Sequence, residues 1–135
     1  MTRKINHVGI AVKNIETAVP FYRDTLGMTF EGTEEVAEQM VRVAFLQIGE
    51  SRIELLEPTS PDSPVAKFLE KNGEGIHHLA YEVDDLAKKL GELQNEGVRL
   101  IDQTPRKGAH GASIAFIHPK ASGGVLTELC QQKNH

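Results

Sequence analysis

The sequence predicts an α+β fold of two tandem βαβββ modules, whose sheets would curve around a shared metal-binding cleft. An apolar stretch that contains His7 recurs around His78. The shift along the chain that aligns these two histidines also aligns residues 44–46 with residues 115–117. A register kept between segments this far apart indicates an internal duplication, in which each half repeats one structural unit.

Each half also carries a glutamate in its last predicted strand. Residues 52–55 resemble residues 126–129, which aligns Glu54 with Glu128. The alignment slips here because the turn before the last strand is longer in the second half. Alternation in the first of these strands places Arg52 and Glu54 on the same face. Each half therefore has a histidine near its beginning and a glutamate near its end.

We expect one domain, residues 1–135, to hold both modules. Residues 57–64 are rich in proline and serine, which is typical of a linker. The predicted divisions are module one at about 4–58, a linker with a short helix at 59–74, and module two at about 75–132.

The composition is typical of a soluble globular protein, with 39% hydrophobic and 25% charged residues. A net charge of -4 argues against nucleic acid as the main partner, because phosphate binding favours a basic face. Cys130 is the only cysteine, which excludes an internal disulfide and favours a reducing compartment. No stretch resembles a secretion signal or a membrane span. We therefore expect a cytoplasmic protein with no membrane partner and with Cys130 buried in a strand.

The first module follows the order β-α-β-β-β. Residues 5–12 are predicted to form a buried strand, and a helix over residues 18–26 begins after either Asn14 or Thr17. Pro20 favours Thr17, because the proline then lies in the first turn, where its missing N–H does no harm. The remaining strands are predicted at residues 28–34, 40–48 and 52–56.

The second module repeats this order after a short helix that Ser63 caps and Pro64 opens. Asp84 or Asp85 caps the next helix, which is predicted to end at Gly97. The strands of this module are predicted at residues 77–83, 98–100, 113–118 and 124–130.

Histidine and glutamate at matching positions of a repeat predict a metal site. Each residue alone is more often structural, but a duplicated fold that brings equivalent positions together gathers two imidazoles and two carboxylates. The predicted ligands are His7, Glu54, His78 and Glu128. Without a thiolate, this set suits Co²⁺, Mn²⁺, Ni²⁺, Fe²⁺ or Zn²⁺ with open positions for substrate. His77 is excluded because alternation places it on the opposite face from His78.

A basic, glycine-rich loop at residues 104–111 has no counterpart in the first half. It is either a mobile turn or an anion clamp, in which backbone N–H groups and the positive charges of Arg106 and Lys107 bind a negatively charged group. Long loops in compact domains are more often functional. Both interpretations stay open from the pattern alone.

The repeated plan, with histidine early and glutamate late in each half, resembles the vicinal oxygen chelate, or glyoxalase-like, superfamily. The resemblance covers essentially the whole chain. Within the superfamily, three motifs are most similar to the methylmalonyl-CoA epimerases. They are GAHG at residues 108–111, HPK at 118–120 and GGVLTEL at 123–129.

This resemblance implies metal ligands at His7, His78 and Glu128, and at Glu54, where some relatives have glutamine. It implies one divalent ion, with cobalt favoured, in a homodimer that binds an acyl-CoA. The implied reaction interconverts the R and S epimers of methylmalonyl-CoA. A proton is removed from the 2-carbon, and the resulting enolate is stabilised by the metal.

Glu128 and Glu54 are the expected proton-transfer residues, and the resemblance places Lys107 and His110 near substrate. Some epimerases have a further glutamate in the third strand, but residues 42–44 contain no carboxylate. Either the two glutamates fill both roles or a water serves on one side, so the second base is left open. The alternatives are a glyoxalase I-type lactoylglutathione lyase and a non-catalytic small-molecule binding protein on the same scaffold.

Overall fold

The computed structural model describes residues 2–133, so Met1, Asn134 and His135 of the predicted domain lie outside the described residues. Its helices and strands alternate as the sequence predicts. In chain order they are β1 (Thr2–Ala11), α1 (Ile15–Pro20), β2 (Thr29–Val36), β3 (Val41–Ile48), β4 (Ser51–Pro58), α2 (Pro64–Asn72), β5 (Gly75–Val83), α3 (Leu86–Asn95), β6 (Arg106–Lys107), β7 (Ser113–Ile117) and β8 (Thr127–Gln131).

The strands belong to one eight-stranded sheet with the order β2-β3-β4-β1-β5-β8-β7-β6. The order β-α-β-β-β occurs twice, once from β1 to β4 and once from β5 to β8, with α2 between the two runs. This confirms the predicted α+β class and the tandem βαβββ plan. None of the described helices is long and apolar enough to cross a membrane.

The chain divides into two compact units. One comprises His7–His77, and the other combines residues 2–6 with residues 78–133. The divisions fall inside β1 and β5, so each unit includes a segment of both strands.

In the His7–His77 unit, α1 packs against one face of β3 and β4. Its core is a cluster of small and branched apolar side chains: Val12, Ile15, Val19, Ala44, Leu46 and Leu55. Phe45 lies opposite Glu54 in the β3–β4 ladder. Because successive side chains of a strand point to opposite faces, these two residues lie on the face away from α1.

The other unit has the same construction around α3. Its core consists of Val83, Leu86, Leu90, Ala115 and Leu129. Phe116 lies opposite Glu128 in the β7–β8 ladder, on the face away from α3. A second apolar cluster on that face contains Cys130, which is buried as expected.

The first helix begins earlier than the sequence predicts. Asn14 caps α1, because its Oδ1 accepts the Thr17 backbone N–H at 2.9 Å and the Thr17 hydroxyl at 3.1 Å. The preference for Thr17 is wrong because Pro20 lies at the end of the α-helical segment and not in its first turn. A π-helical turn, Phe21–Thr25, follows the proline.

The strand predicted at residues 98–100 does not form. Leu100 makes an isolated bridge to Ile117, and the regular strand that follows, β6, has two residues. The Asp102 side chain accepts the Phe116 N–H at 2.9 Å, so a side-chain contact replaces a bond of the ladder. The caps at Ser63 and Asp85 are as predicted, since each side chain accepts a backbone N–H of its helix.

Candidate active site

The first half presents a buried histidine–glutamate pair. The His7 Nδ1 lies 3.2 Å from the Glu54 Oε2, and the two residues are 5% and 4% exposed. β1 and β4 are parallel neighbours, with Gly9 opposite Glu54. His7 precedes Gly9 by two residues, so its side chain lies on the same face as the carboxylate.

The second half presents the same pair in the same register. The His78 Nε2 lies 3.2 Å from the Glu128 Oε1, and the two residues are 5% and 4% exposed. β5 and β8 are parallel neighbours, with Ala80 opposite Glu128. His78 again precedes the opposing residue by two positions. The repeat therefore reproduces both the residue types and the strand pairing that bring them together.

Each glutamate has a phenylalanine as its partner on the adjacent antiparallel strand: Phe45 opposite Glu54, and Phe116 opposite Glu128. The Phe116 ring lies edge-on to the His78 imidazole, with 5.6 Å between ring centroids and 85° between planes. These apolar rings reduce the contact of the polar pairs with water. A carboxylate in such surroundings is costly unless a cation or a hydrogen-bond donor compensates it.

Arg52 is a further polar residue beside the first pair. Its Nη2 lies 3.1 Å from the Glu54 Oε2, and its guanidinium lies 5.7 Å from the centroid of the Phe45 ring. Alternation along β4 predicted that Arg52 and Glu54 share a face, but Arg52 was not among the predicted site residues. A basic residue two positions from a predicted ligand is the signal that could have identified it.

The four predicted ligands are thus grouped as His7 with Glu54 and His78 with Glu128. Imidazole nitrogens and carboxylate oxygens are common ligands of divalent transition metals, and all four side chains are buried. A divalent ion would compensate the buried carboxylates. The chemistry of the residues in each pair therefore fits the metal that the sequence predicts.

The basic loop is a hairpin turn between β6 and β7. Lys107 and His110 are both exposed, and His110 has a left-handed backbone conformation with φ of 56°. Gly108 is required in this turn, because a Cβ there would lie 2.7 Å from the Ile114 side chain. The glycine thus allows the close approach of the turn to β7.

Arg106 is the residue of this loop that shares a face with Glu128. Arg106 lies opposite Ile114, and Ile114 lies opposite Cys130, two residues beyond Glu128 in β8. Paired residues share a face, as do residues two apart in one strand. The Arg106 Nη1 lies 3.6 Å from the Asp102 Oδ1.

The HPK motif at residues 118–120 has a structural explanation. The His118 Nδ1 accepts the Lys120 N–H at 3.1 Å and so caps the short 3-10 turn Pro119–Ser122. The pKa of His118 is lowered by desolvation and then by the positive charges of Arg99 and Lys120. This favours the neutral imidazole, which is the form whose Nδ1 can accept a hydrogen bond.

Comparison with known proteins identifies the family. Residues 6–116 match the family model described as the Glyoxalase/Bleomycin resistance protein/Dioxygenase superfamily. The chain belongs to this superfamily. The fold and the family predicted from the repeat are therefore confirmed.

Relatives within the superfamily match almost the whole chain. The ethylmalonyl-CoA/methylmalonyl-CoA epimerase of Cereibacter sphaeroides is 41% identical over 133 residues, which cover 97% of this chain and 99% of that protein. The human mitochondrial methylmalonyl-CoA epimerase is 40% identical over 129 residues, covering 95% and 73%. A solved structure of a methylmalonyl-CoA epimerase with methylmalonyl-CoA and NH₄⁺ has a TM-score of 0.94 and 43% identity, over 98% of this chain and 96% of that one.

This superfamily member has no carboxylate on the central part of β3. Val43 is buried and lies opposite Leu56 on one side and Glu34 on the other. Because paired residues share a face, Glu34 is the carboxylate that lies beside Val43 on the outer strand, β2. Residues 42–44 therefore provide no carboxylate, and Glu34 is the one on the neighbouring strand.

Proposed function

We propose that this chain is a metal-dependent methylmalonyl-CoA epimerase, an isomerase that interconverts the R and S epimers by moving the proton on the 2-carbon. The observation that carries the proposal is the match to epimerases over almost the full chain, at 40–43% identity in the human relative and the ligand-bound structure. The buried His–Glu pair in each half supplies the polar groups that this reaction needs.

We propose that His7, Glu54, His78 and Glu128 bind one divalent ion between them. Support comes from the burial of all four side chains and from the 3.2 Å contact within each pair. Cobalt is the ion favoured by resemblance, and Mn²⁺, Ni²⁺, Fe²⁺ and Zn²⁺ suit the same donors.

Glu128 and Glu54 are the proposed proton-transfer residues. When bound, a divalent ion supplies Lewis-acid polarisation of the thioester carbonyl, which makes the proton on the 2-carbon more acidic. One of the two glutamates, as the carboxylate, would remove this proton, and the other, as the carboxylic acid, would return a proton to the opposite face. The contacts with His7 and His78 orient the two carboxylates for this role.

Lys107 and His110 are the proposed substrate-binding residues. Both are exposed on the β6–β7 turn, where a large ligand can reach them, and Lys107 carries the positive charge that an anionic acyl-CoA favours. Arg106 adds a second cation to the same turn. These residues would bind parts of the substrate away from the reacting carbon.

Lys107→Met should raise the KM for methylmalonyl-CoA about tenfold and leave kcat little changed, because a hydrogen bond to a charged group contributes about 1.5–3 kcal/mol. Steady-state kinetics checks this result. Lys89→Met, on α3, is the matched control and should leave both constants unchanged. An unchanged KM for Lys107→Met would favour the simple-turn interpretation of the loop.

We also propose a cytoplasmic homodimer. The homodimer rests on the resemblance to the superfamily, and the cytoplasmic location rests on the single cysteine. Sedimentation equilibrium should give twice the mass of the chain at micromolar concentration. A monomer mass across the concentrations used for activity would contradict the dimer.

The reaction is tested by offering two substrates to the same metal-loaded protein. We expect (2R)-methylmalonyl-CoA to convert to an equal mixture of epimers, measured by chiral separation of the CoA thioesters. The hemithioacetal of methylglyoxal and glutathione should yield no lactoylglutathione. The reverse pattern would identify a lactoylglutathione lyase, and binding without turnover of either compound would identify a binding protein.

A further inference from the structure

We infer that Arg52 is a positioning residue for the metal site. It holds one oxygen of the Glu54 carboxylate, and its positive charge compensates the negative charge of that carboxylate. The inference rests on the proposed metal site and extends it to a residue outside the donor set. It concerns the binding of the ion and needs no particular substrate.

The contacts of Glu54 concentrate on one of its two oxygens. The Oε2 lies 3.1 Å from the Arg52 Nη2 and 3.2 Å from the His7 Nδ1. With the guanidinium on the Oε2, the Oε1 is the oxygen that would bind an ion or, when released from it, exchange a proton with the substrate. Arg52 therefore favours a monodentate carboxylate in a fixed orientation.

Arg52 is itself held in place. Its side chain is 18% exposed, and its guanidinium lies over the ring of Phe45, the ladder partner of Glu54. A cation over an aromatic face, with limited solvent contact, is attracted to the ring. Arg52 thus differs from a surface arginine, which would be free to turn into solvent and would have little effect on the ion.

The charges give this contact a consequence for metal binding. Two carboxylates cancel the charge of a divalent ion, and Arg52 returns one positive charge to the site. Without Glu54, the guanidinium would face the ion with no negative group between them, which is unfavourable where water is scarce. Arg52 and Glu54 should therefore act as a unit in metal affinity.

The test is a double-mutant cycle in Co²⁺ affinity, measured by isothermal titration calorimetry on the full chain. Glu54→Gln should weaken Co²⁺ binding about 10- to 100-fold. Adding Arg52→Met to Glu54→Gln should recover at least about tenfold of that loss, because the uncompensated cation is removed. Arg52→Met in the wild-type background should give no such gain, and Arg52→Lys added to Glu54→Gln should recover little of the loss, because it keeps the positive charge.

An additive cycle, in which Arg52→Met has the same effect in both backgrounds, would overturn the inference. Thermal midpoints measured without metal check that each variant is folded at the temperature of the titration, and a non-additive affinity that disappears among the folded variants would also overturn it. If the wild-type protein binds Co²⁺ but does not epimerise methylmalonyl-CoA, the proposed function fails and the cycle still decides the role of Arg52. A wild-type protein that binds no Co²⁺ would overturn both.

Discussion

His78→Ala should abolish epimerisation and metal retention together while the fold survives. The substitution removes one proposed ligand and leaves Glu128 buried without its imidazole neighbour at 3.2 Å. We expect Co²⁺ affinity to fall more than about 100-fold and activity to fall at least about 1000-fold. The measurements are metal content after gel filtration and the rate of epimer interconversion.

The adjacent histidine provides a matched control. His77 lies on the same strand, but it packs edge-on against Phe68, with 5.1 Å between ring centroids. His77→Ala should keep bound metal and activity. Both variants should fold, with unfolding free energies lowered by about 1–3 kcal/mol, because the core around α1 and the core around α3 are unchanged. Full activity in His78→Ala would show that the metal site is wrongly assigned.

Glu128→Gln should lower the rate of epimerisation by a factor of about 10²–10⁴, which is the usual contribution of a general acid or base. The amide keeps the size of the side chain and its place opposite Phe116 in the β7–β8 ladder, but it cannot accept a proton from the 2-carbon. The KM should change little. Rates are measured with metal-saturated protein, so that weaker metal binding does not account for the loss.

Glu35→Gln is the control for this substitution. Glu35 is an exposed carboxylate on β2, opposite Arg42 in the β2–β3 ladder. Its replacement should leave the rate within about twofold of wild type, as for most surface substitutions. If the two variants have equal rates, Glu128 is not the proton-transfer residue.

The sequence predicted the fold well because the chain repeats itself. The alignment of His7 with His78 and of Glu54 with Glu128 was sufficient to predict two similar strand arrangements. The structure shows Gly9 opposite Glu54 and Ala80 opposite Glu128, which is the same register twice. A duplicated pattern is informative because a feature that occurs at matching positions of both halves supports the same structural interpretation twice.

The errors concern one short, irregular segment and one helix start. The strand predicted at residues 98–100 is reduced to an isolated bridge at Leu100, although the backbone of Arg99 and Ile101 bonds His118 and Phe116. The Asp102 side chain also accepts the Phe116 N–H, a contact that periodicity does not reveal. The cap of α1 was assigned to Thr17 from a rule about proline, and the π-helical turn after Pro20 could not be anticipated from local propensity. Such features depend on partners distant in the chain or on rare helix geometry.

The repeat predicted that each histidine pairs with a glutamate, but it did not predict the surroundings of the pairs. Histidine and glutamate were identified because their chemistry is specific to few roles. The alternation of β4 placed Arg52 on the same face as Glu54. Arginine is common on strand surfaces, so its contacts with Glu54 and Phe45 became evident only from the structure. Arg106 was missed for a similar reason. It shares a face with Glu128 through the pairing of β6 with β7, which the sequence did not predict.

The measurement that tests the central claim most directly follows one epimer of methylmalonyl-CoA by NMR in D₂O. One sample contains protein loaded with Co²⁺, at a measured content of one ion per chain, and a second contains the same protein after treatment with a chelator. We predict that deuterium enters the 2-carbon with loss of the starting configuration in the first sample, and that neither change occurs in the second until Co²⁺ is restored. No exchange in the metal-loaded sample, or equal exchange in both, would contradict a metal-dependent epimerase.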